Sequence, residues 1–396
     1  MRTASFFFLI AAGMVFMASC GEQEPAVTAD TGVTAENSAG NLPMEQIDAH
    51  AEAPELTIGY VNQDHHSAVF VAALRPEMMH ENYPVYLIPL GESYYALIKD
   101  NEKVAEIQFI QSQGAINVPN NMQAGLFEMG FGGVIPFAAA IDQGNPIRIV
   151  APLHQDGDML VVSADNETVN DWGSFLAWIE ASEGPITVGF KSPKAVALII
   201  FQSALTEAGV SYAMSGAETP ETDVILYNAQ GEPNLNPALQ EGLIDAYVSN
   251  NPACAMAEHN GIGRCVAELS LLPPGDFENH PCCAIAANEA VIAEKPEAVS
   301  AALELFMYST DFINANPEEA AAAASEWIGT PLEVEIASMA TSTYDMRVTE
   351  AWNGNMGLIM DHMRALNSFT GPLAEVQGVG ILDLITDFSL LPEELK

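Results

Sequence analysis

Basic residues are scarce in this sequence. Its 396 residues include 12 Lys and Arg against 53 Asp and Glu, for a formal net charge of −41. Nucleic-acid binding needs a basic face for the phosphates, so that class of function is excluded. Charged residues make up only 16% of the chain, so the acidity reflects missing cations. A salt-rich or alkaline environment, where salt screens self-repulsion, is one explanation; the other is an acidic protein of no special habitat.

Apolar runs of membrane-spanning length are also missing. Residues 6–17 (FFFLIAAGMVFM) form an apolar run after Arg2, whereas a spanning helix needs roughly 20 residues. The run is typical of a signal peptide. It ends in Met17-Ala18-Ser19-Cys20-Gly21, which resembles a bacterial lipobox with a diacylated cysteine. We therefore predict a lipoprotein signal peptide over residues 1–20, lipidated at Cys20, with an ordinary signal peptide as the alternative.

Residues 21–53 contain no Lys, Arg or aromatic residue and are rich in Ala, Thr, Glu, Pro and Gly. A segment of this composition cannot bury enough apolar surface to offset the entropy of ordering it. It is therefore predicted to be a flexible acidic linker. Beyond it, ~340 residues suit two domains or one bilobal unit.

Strand-like and helical segments alternate along residues 54–280, which predicts βαβ units and parallel sheets. The chain from residue 294 onward is almost entirely helical in pattern. This order predicts lobe 1 at 54–152, lobe 2 at 153–280, and a return to lobe 1 with C-terminal helices at 281–396. Ligands of open α/β sheets bind beyond the carboxyl ends of the strands, so two facing sheets would form a cleft that closes by hinge motion.

Several segments resemble one family of binding proteins in their order and spacing. They are residues 131–133 (FGG), 144–150 (GNPIRIV), 238–246 (ALQEGLIDA), 295–299 (KPEAV) and 316–320 (NPEEA). They resemble the NMT1-like substrate-binding proteins of ABC importers, a group for nitrate, sulfonate, taurine and thiamine-pyrimidine precursors. The resemblance implies a bilobal type II periplasmic-binding-protein fold. It also implies an extracytoplasmic protein, which the predicted lipid on Cys20 would anchor to the membrane.

The implied function is capture of a small organic molecule or oxyanion in the interlobe cleft, for delivery to an ABC permease and ATPase complex. No P-loop, GxGxxG or Ser/His/Asp spacing points to catalysis, and no cofactor is expected. A pyrimidine synthase of similar fold gives a second interpretation. That enzyme carries a cysteine-rich motif of which this chain has only Cys282-Cys283, and the export signal argues against it.

Loops that follow the predicted strands should line the cleft. Asp64 and two histidines precede a predicted helix, whose N-terminus favours an anion; simple capping is the alternative. Lys191 and Ser192 precede another helix, with Ser192 as N-cap and Pro193 as its first residue. The predicted ligand-binding residues are Asp64, His65, His66, Gly132, Gly133, His154, Gln155, Lys191, Ser192, Asn250, Asn251 and His280.

The remaining alternative is a metal or metal-chelate binding protein. Imidazole and thiolate suit Zn, Cu or Fe, although no CxxC or HxxxH spacing is present. The predicted cleft loops carry six His and Cys residues, of which the predicted ligands are His65, His66, His280, Cys282 and Cys283; the sixth is His154. The adjacent cysteines could instead form a vicinal disulfide or remain thiols. An even number of cysteines beyond Cys20 permits disulfides, and Cys254 with Cys265 would close a short loop.

Overall fold

The computed structural model describes residues 40–396. The predicted signal peptide with Cys20, and the predicted linker up to residue 39, lie outside this range. No helix within the described residues is long and apolar enough to cross a membrane.

The last part of the predicted linker is folded. Asn41 Nδ2 donates to the backbone carbonyls of His80 (2.8 Å) and Tyr83 (2.7 Å). Met44–Gln46 forms a single 3-10 turn, and Ile47 joins the apolar core of the first lobe. Composition alone gave no sign of this contact, because it rests on one buried isoleucine and one asparagine. The predicted linker boundary at residue 53 is therefore corrected: residues 41–47 belong to the folded part.

The first six strands and the last two form one sheet, in the order β14-β6-β13-β5-β1-β4-β3-β2. These strands are β1 (Glu55–Tyr60), β2 (Val85–Gly91), β3 (Tyr94–Lys99), β4 (Glu102–Gln111), β5 (Met129–Gly133), β6 (Ile147–Asp156), β13 (Pro281–Asn288) and β14 (Ser342–Tyr344). The central strands β5, β1 and β4 are parallel. The side chains of β1 and β5 are mostly buried, as expected for strands covered on both faces.

The second sheet contains only strands from the middle of the chain, in the order β12-β7-β11-β8-β10-β9. They are β7 (Asp158–Ser163), β8 (Ile186–Phe190), β9 (Tyr212–Met214), β10 (Val224–Asn228), β11 (Ala246–Asn250) and β12 (Gly263–Glu268). Strands β9, β10, β8 and β11 are parallel, and β7 pairs antiparallel with β11 and β12. We call the first sheet with its helices lobe 1 and the second lobe 2.

Two crossing segments connect the lobes. The first is Asp156-Gly157-Asp158, between β6 of lobe 1 and β7 of lobe 2; the second ends at His280, directly before β13. Because β6 leaves lobe 1 and β13 re-enters it, the two strands pair antiparallel. Strand β6 continues to Asp156, past the predicted start of lobe 2 at residue 153. Both sheets thus have the parallel centre that the sequence predicted, with antiparallel strands added beside it.

Fourteen α-helices occur among the described residues. They are α1 (Ser67–Leu74), α2 (Pro76–Asn82), α3 (Val118–Gln123), α4 (Val134–Asp142), α5 (Trp172–Ala181), α6 (Val196–Glu207), α7 (Leu235–Gln240), α8 (Ala253–His259), α9 (Glu289–Glu294), α10 (Pro296–Ala315), α11 (Pro317–Ile328), α12 (Leu332–Met339), α13 (Glu350–Ala365) and α14 (Leu382–Ile385). The apolar face of α13 packs in a core shared by both lobes, which includes Trp352, Ile149 and Val188. The C-terminal helices therefore hold the two lobes around the crossing segments.

Candidate functional site

A cavity of about 500 Å³ lies between loops of the two lobes. Lobe 1 contributes the loop after β1, residues 111–117 at the end of β4, and the start of α4. Lobe 2 contributes the loops after β8 and β10, and β13 contributes two cysteines. Carboxyl ends of parallel strands thus face the cavity, as in other open α/β folds, and its volume suits a small molecule.

The wall of the cavity is polar but balanced in charge. Lys191 and Lys194 face it together with the carboxylates of Asp158 and Glu232, so equal numbers of lysines and carboxylates are present. Neutral amide side chains supply most of the other hydrogen-bonding groups. They are Asn62, Gln63, Gln111, Gln113, Asn117 and Gln230. Such a wall recognises hydrogen-bonding groups rather than a large net charge.

One polar contact joins the two lobes across the cavity. Gln63 Nε2 in lobe 1 donates to Glu232 Oε2 in lobe 2 at 3.3 Å. The same oxygen lies 3.5 Å from Lys191 Nζ. Burial by itself would lower the pKa of Lys191, but the negative charges of Glu232 and Asp158 raise it. Lys191 is therefore a cation, and it orients Glu232 for the contact across the cleft.

Two histidines and two cysteines meet at the floor of the cavity, where His65, Cys282 and Cys283 line it and His154 lies directly behind them; their ligand atoms are within 4.8 Å of one another. The imidazole rings of His65 and His154 stack with centroids 3.7 Å apart. Burial and the adjacent His154 lower the pKa of His65 to about 4, so this ring is neutral. The hydrogen bond between the two sulfurs raises the pKa of Cys282 and lowers that of Cys283.

His280 fastens the two crossing segments together. Its Nε2 lies 2.9 Å from Asp158 Oδ2, and its Nδ1 lies 3.0 Å from Asp156 Oδ1. Burial alone would lower the pKa of His280, but its hydrogen bonds to these carboxylates raise it to about 9. The hydrogen bond from His280 also holds the pKa of Asp158 below its usual range, although burial opposes this. A buried imidazolium thus sits between two carboxylates, beside Gly157, where the chain passes between the lobes.

Four of the residues predicted to bind ligand line the cavity: His65, Gly133, Lys191 and Ser192. The other eight do not line it and are buried behind its wall, namely Asp64, His66, Gly132, His154, Gln155, Asn250, Asn251 and His280. Asp64 accepts a hydrogen bond from Ser338, and burial together with the charge of Glu335 raises its pKa well above its usual value. Asn251 holds the lobes together instead, because its Nδ2 donates to Thr341 Oγ1 at 2.9 Å.

Two local predictions are wrong. Ser192 is not the N-cap of α6, which begins at Val196 with Ala195 as N-cap. The hydroxyl and carbonyl oxygens of Ser192 accept the backbone N–H groups of Lys194 and Ala195, so a turn precedes the helix. Cys254 and Cys265 are free thiols rather than a disulfide. The Cys254 sulfur is buried on α8 and donates to the carbonyl of Ser249 at 3.3 Å.

The prediction missed the amide residues of the cavity wall. Asn62 and Gln63 directly precede the predicted Asp64, and residues 111–117 follow a strand that the sequence did indicate. The rule that ligands bind beyond the carboxyl ends of strands, which selected the other loops, would have selected these two loops as well. Neutral amides carry no charge or metal-ligand signal, so nothing in the sequence distinguished them from ordinary loop residues.

Residues 49–329 match the model of the NMT1-like family. The uncharacterized protein MJ1180 of Methanocaldococcus jannaschii is 29% identical over 108 residues, which cover 27% of this chain and 74% of that protein. The zinc-bound ligand-binding component of an ABC-type import system from Staphylococcus aureus has a similar structure, with a TM-score of 0.62. The two sequences are 13% identical, and the aligned region covers 86% of this chain and 98% of the Staphylococcus aureus protein.

Two further solved structures have the same fold. The periplasmic nitrate-binding protein NrtA of Synechocystis PCC 6803 has a TM-score of 0.61 at 13% identity, over 86% of this chain and 87% of that one. The periplasmic aliphatic sulphonate-binding protein SsuA of Escherichia coli has a TM-score of 0.58 at 15% identity. The match covers 84% of this chain and 92% of SsuA. The family model covers more than half of the chain, and the protein therefore belongs to the NMT1-like family, with the fold of periplasmic binding proteins.

Proposed function

We propose that this protein is an extracytoplasmic solute-binding protein of an ABC importer, which captures a small polar molecule between its lobes and performs no chemistry on it. The observation that carries the proposal is the cavity of about 500 Å³, built from strand-end loops of two lobes joined by two crossing segments. The family match supports it, as do similar structures described as binding nitrate or sulphonates. An ABC permease and ATPase would receive the solute.

The chemistry of the wall favours a neutral or zwitterionic organic molecule. Two lysines and two carboxylates balance, so a bound anion would meet no net positive field, whereas six amides offer both donors and acceptors. A small oxyanion is the second candidate. It is favoured by α6, which begins at Val196 on the cavity edge without a side-chain cap and so leaves N–H groups of its first turn available.

Lobe closure would provide much of the affinity. The contact between Gln63 and Glu232 spans the cavity mouth, and Asp156-Gly157-Asp158 with His280 forms a compact hinge. A molecule held between lobes is largely removed from water, which is how small-molecule pockets gain both affinity and selectivity.

A ligand screen with two matched variants tests the proposal. Melting of the purified protein is measured with neutral, zwitterionic and oxyanionic solutes; a solute at 100 times its Kd stabilises by ~2.7 kcal/mol. Asn117→Trp places an indole in the cavity, whereas Asn120→Trp changes an exposed residue of the same segment outside it. We expect binding to be lost only with Asn117→Trp. A solute that binds both variants equally would show that the cavity is not the capture site.

The proposed lipid anchor has its own test. Cys20 is the acylated residue, so Cys20→Ser should release the protein from the membrane fraction of expressing cells and abolish labelling by a radioactive fatty acid. Cys265→Ser serves as the control, because that thiol lies in the second lobe. Membrane association that survives Cys20→Ser would contradict the anchor and leave the binding function unaffected.

A further inference from the structure

We propose that the floor of the cavity is a tetrahedral site for a thiophilic d¹⁰ cation, Zn²⁺ or Cu⁺, held by His65, His154, Cys282 and Cys283. The site goes beyond the proposed solute capture, because it lies beneath the amide-lined cavity and uses different side chains. Three of the four residues also line the cavity, so an ion can reach the site from that side.

The spacing of the donor atoms fits one ion. The two sulfurs are 3.9 Å apart, and His65 Nδ1 lies 3.6 Å from the Cys282 sulfur and 3.8 Å from the Cys283 sulfur. Tetrahedral coordination at metal–sulfur and metal–nitrogen distances of about 2.3 and 2.0 Å requires about 3.8 Å between sulfurs and about 3.5 Å between sulfur and nitrogen. These three separations therefore need changes of only a few tenths of an ångström, and the fourth donor, on His154, lies within 4.8 Å of the other three.

The two histidines have buried nitrogen atoms with no hydrogen-bond partner. Both ring nitrogens of His154 lack one, and so does Nε2 of His65, while the two residues are 0% and 1% exposed. Most buried polar atoms in folded proteins are paired, because an unpaired one costs about 1–3 kcal/mol. A cation bound by His65 through Nδ1 and by one ring nitrogen of His154 would supply a partner for one of the unpaired His154 atoms.

Donor chemistry determines the class of ion. Two thiolates and two imidazoles form the Cys₂His₂ set of structural zinc sites and also suit Cu⁺. Ca²⁺ and Mg²⁺ prefer oxygen ligands and do not fit. Two thiolates would also neutralise a divalent ion, so the bound site adds no net charge to a wall whose lysines and carboxylates already balance.

The structure changes the ligand set that the sequence predicted. His66 is engaged elsewhere, since its Nδ1 accepts the backbone N–H of Val61 at 2.9 Å. Both nitrogens of His280 contact the carboxylates of Asp156 and Asp158. His154 takes their place: the pairing of β6 with β13 sets it opposite Cys283.

Metal titration of the reduced, chelator-stripped protein tests the site. Zn²⁺ is titrated against a chromophoric chelator, Cu⁺ is titrated anaerobically in the same way, and Co²⁺ serves as a spectroscopic probe for thiolate ligation. We expect one equivalent of metal, thiolate-to-cobalt charge-transfer absorption, and at least about 100-fold weaker Zn²⁺ binding in Cys283→Ser and His154→Gln. The relative affinities for Zn²⁺ and Cu⁺ identify the preferred ion.

Cys265→Ser and His259→Gln are the controls, because they remove a thiol and an imidazole outside the site. Wild-type affinity in Cys283→Ser, absence of the charge-transfer absorption, or an equal loss in the controls would overturn the proposal. If Cys283→Ser fails to fold, as judged by circular dichroism, the partly exposed Cys282 allows Cys282→Ser to replace it. Solute binding that persists without metal binding would refute this site alone.

Discussion

The ion contacts of His280 lead to a quantitative prediction about the hinge. His280→Gln removes the positive charge between Asp156 and Asp158 but retains a hydrogen-bonding side chain. Asp158 is 3% exposed, and removing one partner of a buried ion pair typically costs about 3–5 kcal/mol. The rise in the pKa of His280 from 6.5 to about 9 gives about 3 kcal/mol, at about 1.4 kcal/mol per pKa unit. We therefore expect the free energy of unfolding to fall by about 3 kcal/mol.

Equilibrium unfolding in urea at neutral pH, with chelator and reductant present, measures this loss. His259→Gln is the matched control, because the His259 ring lies 3.6 Å from Glu333 with both side chains partly or fully exposed to solvent. Surface pairs of this kind contribute at most about 1 kcal/mol. If His280→Gln costs no more than His259→Gln, the crossing segments are not held by this charge and the reasoning is refuted.

The same pair of proteins should differ in pH dependence. The folded-state pKa of His280 lies above its usual value of 6.5. The stability that its protonation contributes is therefore fully present below about pH 6.5 and is lost as the pH rises through about 9. The difference in unfolding free energy between wild type and His280→Gln should shrink across this interval. A difference that stays constant from pH 6 to pH 10 would contradict the raised pKa.

Three further substitutions test other parts of the structure by urea unfolding or ligand titration. Gly157→Ala should lower the free energy of unfolding by about 1–3 kcal/mol, because φ is +82° and a Cβ would lie 2.6 Å from the Ser342 hydroxyl oxygen. Gly144→Ala is the control for backbone strain alone, because its φ is also positive but no atom lies within 4 Å of the added Cβ. Asp142→Ala should cost about 2–4 kcal/mol, because its carboxylate accepts the backbone N–H groups of Thr370, Gly371 and Leu373 at 2.8 Å each. Glu232→Gln should weaken solute binding about tenfold, because the contact across the cleft loses its charged acceptor.

Local sequence patterns predicted most elements where an apolar run has clear boundaries. Residues 186–190 form the predicted strand because the run lies between Pro185 and Lys191. Strand β3 was not predicted, although residues 95–98 are apolar and buried. Its hairpin turns at Ser93 with φ of +56° and lacks the Asn-Gly or Asp-Gly signal of tight turns. The pairing of β3 with β2 therefore had no local marker, whereas Asp100 and Asn101, both at positive φ, form the two-residue turn to β4 that the sequence prediction missed.

The sequence predicted that the candidate site lies among strand-end loops, but it did not predict most of the side chains that line the cavity. Every cavity loop follows a strand, so topology indicated where to look. The direction of each side chain depends on strand register, since a shift of one residue moves a side chain to the opposite face of the sheet. Cys282 is partly exposed beside the cavity, while its neighbour Cys283 is buried. No pattern in the sequence separates two adjacent cysteines in this way.

Sheet register also explains why the metal-ligand set could not be read from residue spacing. His65 follows β1, His154 lies on β6, and the two cysteines lie on β13. Only the antiparallel pairing of β6 with β13, which sets Cys283 opposite His154, brings the donors of the two crossing strands together. A search for short motifs such as CxxC finds sites built within one segment. A site assembled where the chain crosses twice between the lobes depends instead on topology. Its ligands connect the loop after β1 to β6 and β13, the two strands next to the crossing segments.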